Sequence, residues 1–375
     1  MKRLFLFILF ILLLYSAKPY WEGPASRYVN LSFLEPVDEK IDTLLTSESI
    51  HTAIRFVTDA TDKAILFLTS QLSNEEETVP TEEKPKLAKP VHTQLSIHNI
   101  ELGSTEEQVV AELGEPKNHS LNEYGTVWYT YHDHYHNFVM LSFDEKGIVN
   151  ALYTNDDLIS STSGIRYGSS KAEVRKTFGE PITEIQKGLN IYLLQENEGF
   201  DVFQSRDAYT YVFYDLHQQD KVTAVQLIAR SLEEKRNGIY AAGDAALRSG
   251  FERQLFDLTN AARVRHGLSA LQWEGKVAET ARSHSIDMAD HDYFSHENLQ
   301  GKSPFDRMKD DGISFRSAGE NLAYGQSSSI FAHEGLMNSE GHRENILLDT
   351  YSHLGIGVAF NEKSQPYYTE NFLLK

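Results

Sequence analysis

The last third of the chain predicts helices first and strands afterwards. Apolar and small residues recur every three or four positions in two segments, the spacing of one helix face. They are Phe251, Leu255, Leu258 and Ala262, before a stop at Gly267, and then Val277, Ala281, Ser285 and Met288. A third helix begins at Ser303-Pro304, and a fourth, in "SSSIFAHEGLMNSEGH", ends near Gly341. The runs "HLGIGVAF" and "QPYYTENFLL" predict a closing β-hairpin, so residues 250–375 have an α+β pattern.

An internal repeat precedes this region. "LGSTEEQVVAELGEP" (102–116) aligns without a gap with "YGSSKAEVRKTFGEP" (167–181). In each copy Ser104 or Ser169 is predicted to cap a short helix that a Gly and a Pro then end. Runs rich in β-formers follow each copy. Residues 95–230 are therefore predicted to be a duplicated helix-plus-antiparallel-sheet domain, and the polar segment 231–249 a connector.

The N-terminus predicts export. Lys2 and Arg3 precede an unbroken apolar run from Leu4 to Tyr15, the pattern of a signal peptide. Tyr15 stands where a small residue favours cleavage, so residues 1–17 are either a signal peptide or an uncleaved membrane anchor. Both alternatives place the body of the chain outside the cytoplasm.

Two further segments connect this N-terminus to the repeat. An apolar stripe at helical spacing within residues 36–72 predicts an amphipathic helix. It is interpreted as a stalk or as a helix packed on a later domain, and pairing with a partner protein is the alternative. Residues 73–94 are charged, poor in apolar side chains and contain three prolines. That composition predicts a mobile linker.

Charge and composition narrow the classes of function. The chain has 54 acidic and 35 basic residues, a formal net charge of −19. Such a surface repels phosphate backbones, so we expect no nucleic-acid partner. The chain has no cysteine, which excludes disulfides, thiolate zinc sites and cysteine nucleophiles. Export without cysteine favours a bacterial envelope setting.

One histidine cluster lies inside the first repeat. In "HDHYH", His132, His134 and His136 alternate, and on one straight strand they would share a face able to bind zinc or copper. The segment also lies between two apolar strands, where a hairpin turn is expected. A turn breaks the alternation, and this second interpretation is favoured.

Six motifs together carry a family resemblance. They are "NAARVRHGLSALQW", "HSIDMADHDYFSH", "GKSPFDRM", "AGENLAYG", "LMNSEGHRENIL" and "HLGIGVAF…YYTENF". In this order they resemble the bacterial branch of the CAP superfamily, which includes cysteine-rich secretory proteins, venom allergens and plant pathogenesis-related proteins. The repeat resembles the N-terminal domain that accompanies CAP modules in some bacterial surface proteins.

The resemblance implies an α-β-α sandwich with a cleft lined by a His/Glu tetrad. His296 of "YFSH", Glu320 of "GENLA" and His342 of "EGHR" match three members. The position of the fourth, an acid, is occupied by Ser339. Glu340 is adjacent, but a shift of one helical residue turns a side chain by about 100°.

The matched trio has two chemical interpretations. His296, His342 and Glu320 could hold a divalent metal such as zinc or magnesium with open positions. Alternatively, they form a hydrogen-bonded network that fixes the walls of the cleft. "AHEGLM" resembles the start of a zinc-protease HExxH, but Met337 replaces its second histidine, so His333 and Glu334 are predicted to be helix-surface or supporting residues.

Three functions are consistent with these observations. The first is an exported binding module whose cleft takes a lipid-like or cell-wall ligand, attached to the membrane if residues 1–17 are uncleaved. The second is a metal-dependent hydrolase of peptide or peptidoglycan, and the third a structural surface scaffold. The incomplete tetrad and the lack of a nucleophile motif favour the first and third over an enzyme, and fold resemblance alone does not decide an activity.

Overall fold

The computed structural model describes residues 84–375, apart from 188–189, 195–198 and 237. The predicted signal or anchor, the predicted amphipathic helix and the first part of the predicted linker lie outside the described residues. Residues Val79–Lys375 form one compact unit. Across the described ranges, no helix combines the length and the apolar character needed to cross a membrane.

The first part of this unit, residues 95–235, is called the large-sheet region. Its elements are β1 (Leu95–Ile97), α1 (Glu106–Leu113), β2 (Asn118–Leu121), β3 (Val127–Asp133), β4 (His136–Phe143), β5 (Val149–Thr154), β6 (Ile159–Ser161), α2 (Lys171–Phe178), β7 (Glu184–Lys187), β8 (Asn190–Leu193), β9 (Phe200–Gln204), β10 (Ala208–Asp215), β11 (Lys221–Ala229) and α3 (Arg230–Lys235). Within the described residues, seven strands form an antiparallel sheet in the order β2-β3-β4-β5-β11-β10-β9.

The two repeat segments form similar helices with similar starts. Thr105 caps α1 and Ser170 caps α2, each with a reciprocal capping box. The caps thus lie one residue later than predicted, since Ser104 and Ser169 occupy the preceding turn. There each hydroxyl accepts a backbone N–H three residues back, at 3.1 Å.

The strands that follow the two helices are alike in part. Three strands form a meander in each half, β3-β4-β5 and β9-β10-β11, and the two meanders meet where β5 pairs with β11. Gly103 N donates to Val149 O and Gly168 N to Val222 O, both at 2.9 Å. The halves differ in one strand: β2 joins the large sheet, whereas β7 pairs with β8 in a separate ribbon.

The "HDHYH" segment is a hairpin turn. Strand β3 ends at Asp133 and β4 begins at His136, and both His134 and Tyr135 have positive φ. His132 stacks on Tyr135 with ring centroids 4.2 Å apart, and its Nδ1 accepts the Tyr135 N–H at 3.0 Å. The metal interpretation of this cluster is therefore wrong, because the turn separates the imidazoles.

Two segments with few apolar residues are more ordered than their composition predicts. Backbone N–H groups of Val91, His92 and Thr93 all donate to the Glu101 carboxylate, which fixes the end of the predicted linker. The predicted connector 231–249 contains α3 and the first turn of the next helix, which Asp244 caps. The connector thus includes helical residues, because an N-cap followed by alanines starts a helix without an apolar stripe.

The C-terminal region, residues 244–375, contains a four-stranded sheet covered by helices on both faces. Its elements are α4 (Ala245–Arg265), β12 (Gln272–Trp273), α5 (Gly275–His291), α6 (Pro304–Asp310), β13 (Ser317–Tyr324), α7 (Ser329–Asn338), α8 (Glu340–Ile346), β14 (His353–Phe360) and β15 (Pro366–Leu374). The strands lie in the order β12-β14-β15-β13, and the predicted closing hairpin is β14–β15. The helix predicted to end near Gly341 is divided at Ser339, which has an extended backbone.

Alternation along β14 explains the layering. Leu354, Ile356 and Val358 are buried in a core cluster with side chains of α4 and α7. Gly355 and Gly357 point to the other face, where α5 lies so close that a Cβ on Gly357 would be 1.9 Å from Arg282 N. Helices thus cover both faces, and the predicted α+β class is confirmed.

Helix α4 also packs against the large-sheet region. A Cβ on Gly250 would lie 2.2 Å from Leu121 O, so glycine allows helix and strand β2 to touch. Gln254 Nε2 donates to Ser120 Oγ and to Leu121 O at 3.0 and 2.8 Å. Asn118, also on β2, donates to the buried Asp257 at 2.9 Å.

This contact predicts different outcomes for two helical glycines. Gly250→Ala should lower the free energy of unfolding by about 1–3 kcal/mol, because the methyl group meets rigid backbone. Gly341→Ala on α8 meets nothing within 4 Å and should raise stability by up to about 1 kcal/mol. Urea unfolding measures both, and equal stability of the two variants would contradict the packing described.

Candidate functional site

The predicted site is built around Glu320 on β13, an edge strand of the C-terminal sheet. The Glu320 side chain is buried, and each of its oxygens has a partner. His296 Nδ1 lies 2.9 Å from Oε1, and Arg307 Nη2 donates to Oε2 at 2.5 Å. Arg307 Nη1 also donates to His296 O at 2.6 Å, so one guanidinium holds both residues. A buried carboxylate needs such a charged partner.

His296 is the accessible member of this group. It lies in the loop between α5 and α6, and 55% of its side chain is exposed. The buried His284 of α5 supports the loop, with Nε2 2.9 Å from Ser295 O. The loop of His296 is therefore held by a buried side chain, while the His296 imidazole is accessible to solvent.

His342, the third predicted residue, lies on α8. Its Nδ1 is 2.8 Å from Ser339 Oγ, so the residue at the expected acidic position contacts the histidine as a neutral hydroxyl. Burial, and then the nearby His296, lowers the pKa of His342.

A second, interior network fixes the backbone under the histidines. Asn321 follows Glu320 on β13 and so points to the opposite face. It donates to His342 O at 3.1 Å and to Glu370 Oε2 at 3.0 Å, and accepts from Asn345 at 2.9 Å. Thr259 of α4 donates to the other Glu370 oxygen at 2.9 Å. Burial raises the pKa of Glu370 to about 7.

The predicted metal-ligand trio is not formed. No group of three His, Asp or Glu side chains within the described ranges could hold a metal ion. The physical reason is that Glu320 is occupied by His296 and Arg307, while His342 turns to Ser339. His296 and Glu320 belong to one hydrogen-bonded network with Arg307, whereas His342 belongs to another. The cleft itself stays a prediction.

Of the two alternatives predicted for His333 and Glu334, a position on the helix surface is wrong. Both are buried, with 1% and 5% of the residue exposed. Tyr153 of β5 donates its hydroxyl to Glu334 Oε1 at 2.6 Å, which joins α7 to the large-sheet region. Burial lowers the pKa of His333 to about 3 and raises that of Glu334 to about 7.

Sequence reasoning missed several members of the site. Arg307 lies thirteen residues before its partner Glu320, and no local pattern links them. Asn321 had a usable signal, since a strand at "GENLA" places Glu320 and Asn321 on opposite faces.

Comparison with known proteins agrees with this geometry. Residues 256–372 match the model of the cysteine-rich secretory protein family, named CAP, and residues 102–238 match the CAP-associated N-terminal model. The chain contains a CAP domain. The CAP-associated N-terminal domain precedes it and coincides with most of the large-sheet region.

Two similar proteins come from Bacillus subtilis strain 168. The chain is 28% identical over 327 residues to YlbC of Bacillus subtilis strain 168, described as an uncharacterised membrane protein, and the match covers 80% of this chain and 90% of that protein. It is 40% identical over 147 residues to YkwD of the same organism, covering 39% of this chain and 55% of that protein.

Solved structures show the same fold. An extracellular protein with an SCP domain from Bacillus anthracis is 27% identical, with a TM-score of 0.64 over 79% of this chain and 100% of that chain. A cysteine-rich secretory protein from Staphylococcus aureus is 18% identical, with a TM-score of 0.55 over 73% of this chain and 91% of that chain.

The Glu320–Arg307 pair predicts a coupled loss of stability. Glu320→Gln and Arg307→Met should each lower the free energy of unfolding by about 3 kcal/mol, because each leaves a buried group without its partner. The double variant should lose less than the sum. Urea unfolding tests this, with the exposed neighbour Glu297→Gln as the control, and strictly additive losses would contradict the coupling.

Glu370 predicts a specific pH dependence. Its folded pKa of about 7 exceeds its ordinary value of 4.5, so the folded state keeps a proton that the unfolded state has lost. The resulting stability is present below pH 4.5 and disappears as pH rises through about 7, a loss on the order of 3 kcal/mol.

The test compares urea unfolding at pH 5 and pH 8.5. Glu370→Gln cannot titrate and should lose less stability over this interval than the wild type. Glu340→Gln, at an exposed position, should follow the wild type. A Glu370→Gln variant with the full wild-type pH dependence would refute the assignment.

Proposed function

We propose that this chain is an exported bacterial envelope protein whose CAP domain binds a cell-wall component through His296 and His342. One observation carries the proposal. The Nδ1 atom of each imidazole is engaged by an interior partner, Glu320 or Ser339, and within the described residues neither Nε2 has one. Two oriented imidazole nitrogens are thus left for hydroxyl or amide groups of a ligand.

The same contacts favour binding over hydrolysis. Arg307 pairs with the Glu320 carboxylate, which therefore orients His296 and is not free to accept a substrate proton. Ser339 supplies no charge to His342. A site that positions polar groups around a ligand fits these features better than an acid–base pair does.

The location and the domain plan belong to the proposal. The relatives include a protein described as a membrane protein and one described as extracellular. With the predicted signal or anchor at 1–17, this supports a chain anchored to the outer face of the membrane or secreted. We assign residues 36–72 to a stalk helix, 73–94 to a linker, 95–230 to the CAP-associated domain and 250–375 to the CAP domain.

A duplication within residues 95–230 is also part of the proposal. The ungapped repeat, the two capping boxes and the matching bonds of Gly103 and Gly168 support it. The separate pairing of β7 is then a later divergence of the second copy.

Sedimentation with purified Gram-positive peptidoglycan sacculi tests the binding proposal. Protein comprising residues 79–375 should pellet with sacculi, and His296→Ala/His342→Ala should bind at least about tenfold more weakly, since each lost hydrogen bond costs roughly 1 kcal/mol. His134→Ala/His291→Ala removes two exposed histidines elsewhere and should bind as the wild type does.

Two outcomes would contradict the proposal. A wild-type protein that stays in the supernatant would exclude the wall component. Equal binding by both double variants would exclude the two histidines. Release of soluble wall fragments by the wild type would instead support hydrolysis, the alternative that the geometry disfavours.

A further inference from the structure

A cavity of about 630 Å³ lies between the CAP-associated domain and the CAP domain. Its walls include Lys187, Phe200 and Arg236 from the first domain and Phe331 and Gly335 from the second. Pockets that hold small molecules span roughly 300–1,000 Å³ and are often found between domains. None of His296, Glu320 and His342 lines it, although Ser339, the partner of His342, does.

One wall of the cavity is aromatic. The Phe331 ring of α7 meets Phe200, Phe213 and Tyr211 with centroids 5.3, 5.4 and 5.6 Å away, all at steep interplanar angles. This edge-to-face cluster joins the two domains. Such rings offer a flat or apolar ligand a rigid surface.

Another wall is cationic. Lys187 Nζ lies 2.5 Å from Glu233 Oε1, and Arg236 donates to the same oxygen at 3.1 Å. Tyr124 donates to Oε2 at 2.6 Å, so two buried cations share one carboxylate whose oxygens are already in use. Arg236 Nε is buried and has no hydrogen-bonding partner among the described residues.

Two further carboxyl groups bear on this charge: Glu123 is buried and interacts electrostatically with Arg236, and Glu334 lines the cavity with its Oε1 held by Tyr153. Burial raises the pKa of both carboxyl groups to about 7, so below that pH they are mainly uncharged and the two cations are in excess of the Glu233 carboxylate. A guanidinium with an unused donor attracts an anion.

We propose that this interdomain cavity binds a small organic anion with an aromatic body. The anionic group is placed at Lys187 and Arg236, and the ring against Phe331. The inference goes beyond the proposed function, since it uses neither histidine of the CAP site.

Gly335 offers a way to close the cavity without disturbing the fold. It lies on α7 and lines the cavity, and a Cβ at this position meets nothing within 4 Å. Gly341 on α8 is equally open but does not line the cavity. Gly335→Phe should therefore fill the cavity, and Gly341→Phe is its matched control.

The experiment uses two fluorescent probes with protein comprising residues 79–375. The anion 8-anilinonaphthalene-1-sulfonate should bind the wild type saturably at one site per chain, and N-phenyl-1-naphthylamine is its neutral counterpart. Gly335→Phe should abolish binding of both, whereas Gly341→Phe should not. Lys187→Gln should weaken the anion about tenfold and the neutral probe much less, since a hydrogen bond to a charged group contributes more than 1 kcal/mol.

Near-UV circular dichroism establishes that each variant is folded. Unchanged anion binding by a folded Gly335→Phe variant, or no saturable binding by the wild type, would overturn the cavity assignment. Equal effects of Lys187→Gln on both probes would overturn the anion preference. The His296→Ala/His342→Ala variant should still bind the probe. A failure of the cavity proposal can therefore be distinguished from a failure of the wall-binding proposal.

Discussion

The architecture depends on helix α4, which is buried along most of its length and carries several polar side chains. A buried polar group left without a partner costs roughly 1–3 kcal/mol, so the surroundings of the helix must supply partners. They do so from two sides. Gln254 and Asp257 bond to strand β2 of the CAP-associated domain, and Thr259 bonds to Glu370 inside the CAP domain. One helix therefore belongs to both cores, and the domains are held in one arrangement.

The geometry of the candidate site depends on this helix. Thr259 holds Glu370, Glu370 holds Asn321, and Asn321 holds the backbone of His342. On the other face of β13, Arg307 holds Glu320 and the loop of His296. Because β13 is an edge strand, groups fixed on its two faces can both reach the rim of the sheet. The histidines are thus placed by two separate buried networks, each of which must be complete.

Regular periodicity and family motifs made much of this structure predictable. The hairpin β14–β15, the helix start at Ser303 and the turn in "HDHYH" follow from local rules, and all three are observed. Burial of Glu334 could not be predicted, because its partner Tyr153 is 181 residues away and the local pattern is that of an amphipathic helix. The metal trio failed for a related reason: a motif names Glu320 but does not reveal that Arg307 occupies its carboxylate.

The unequal strands of the two repeat halves have a consequence for where binding sites arise. In the first half β2 pairs with the sheet and packs on α4, so its sequence is constrained by two neighbours. In the second half β7 leaves the sheet, and Ile185 and Lys187 of that strand face the interdomain cavity instead. Strand β2 therefore helps to hold the two domains together, whereas β7 has no such contact with α4 among those described above. Side chains of β7 that face the cavity can change without altering the contact between β2 and α4.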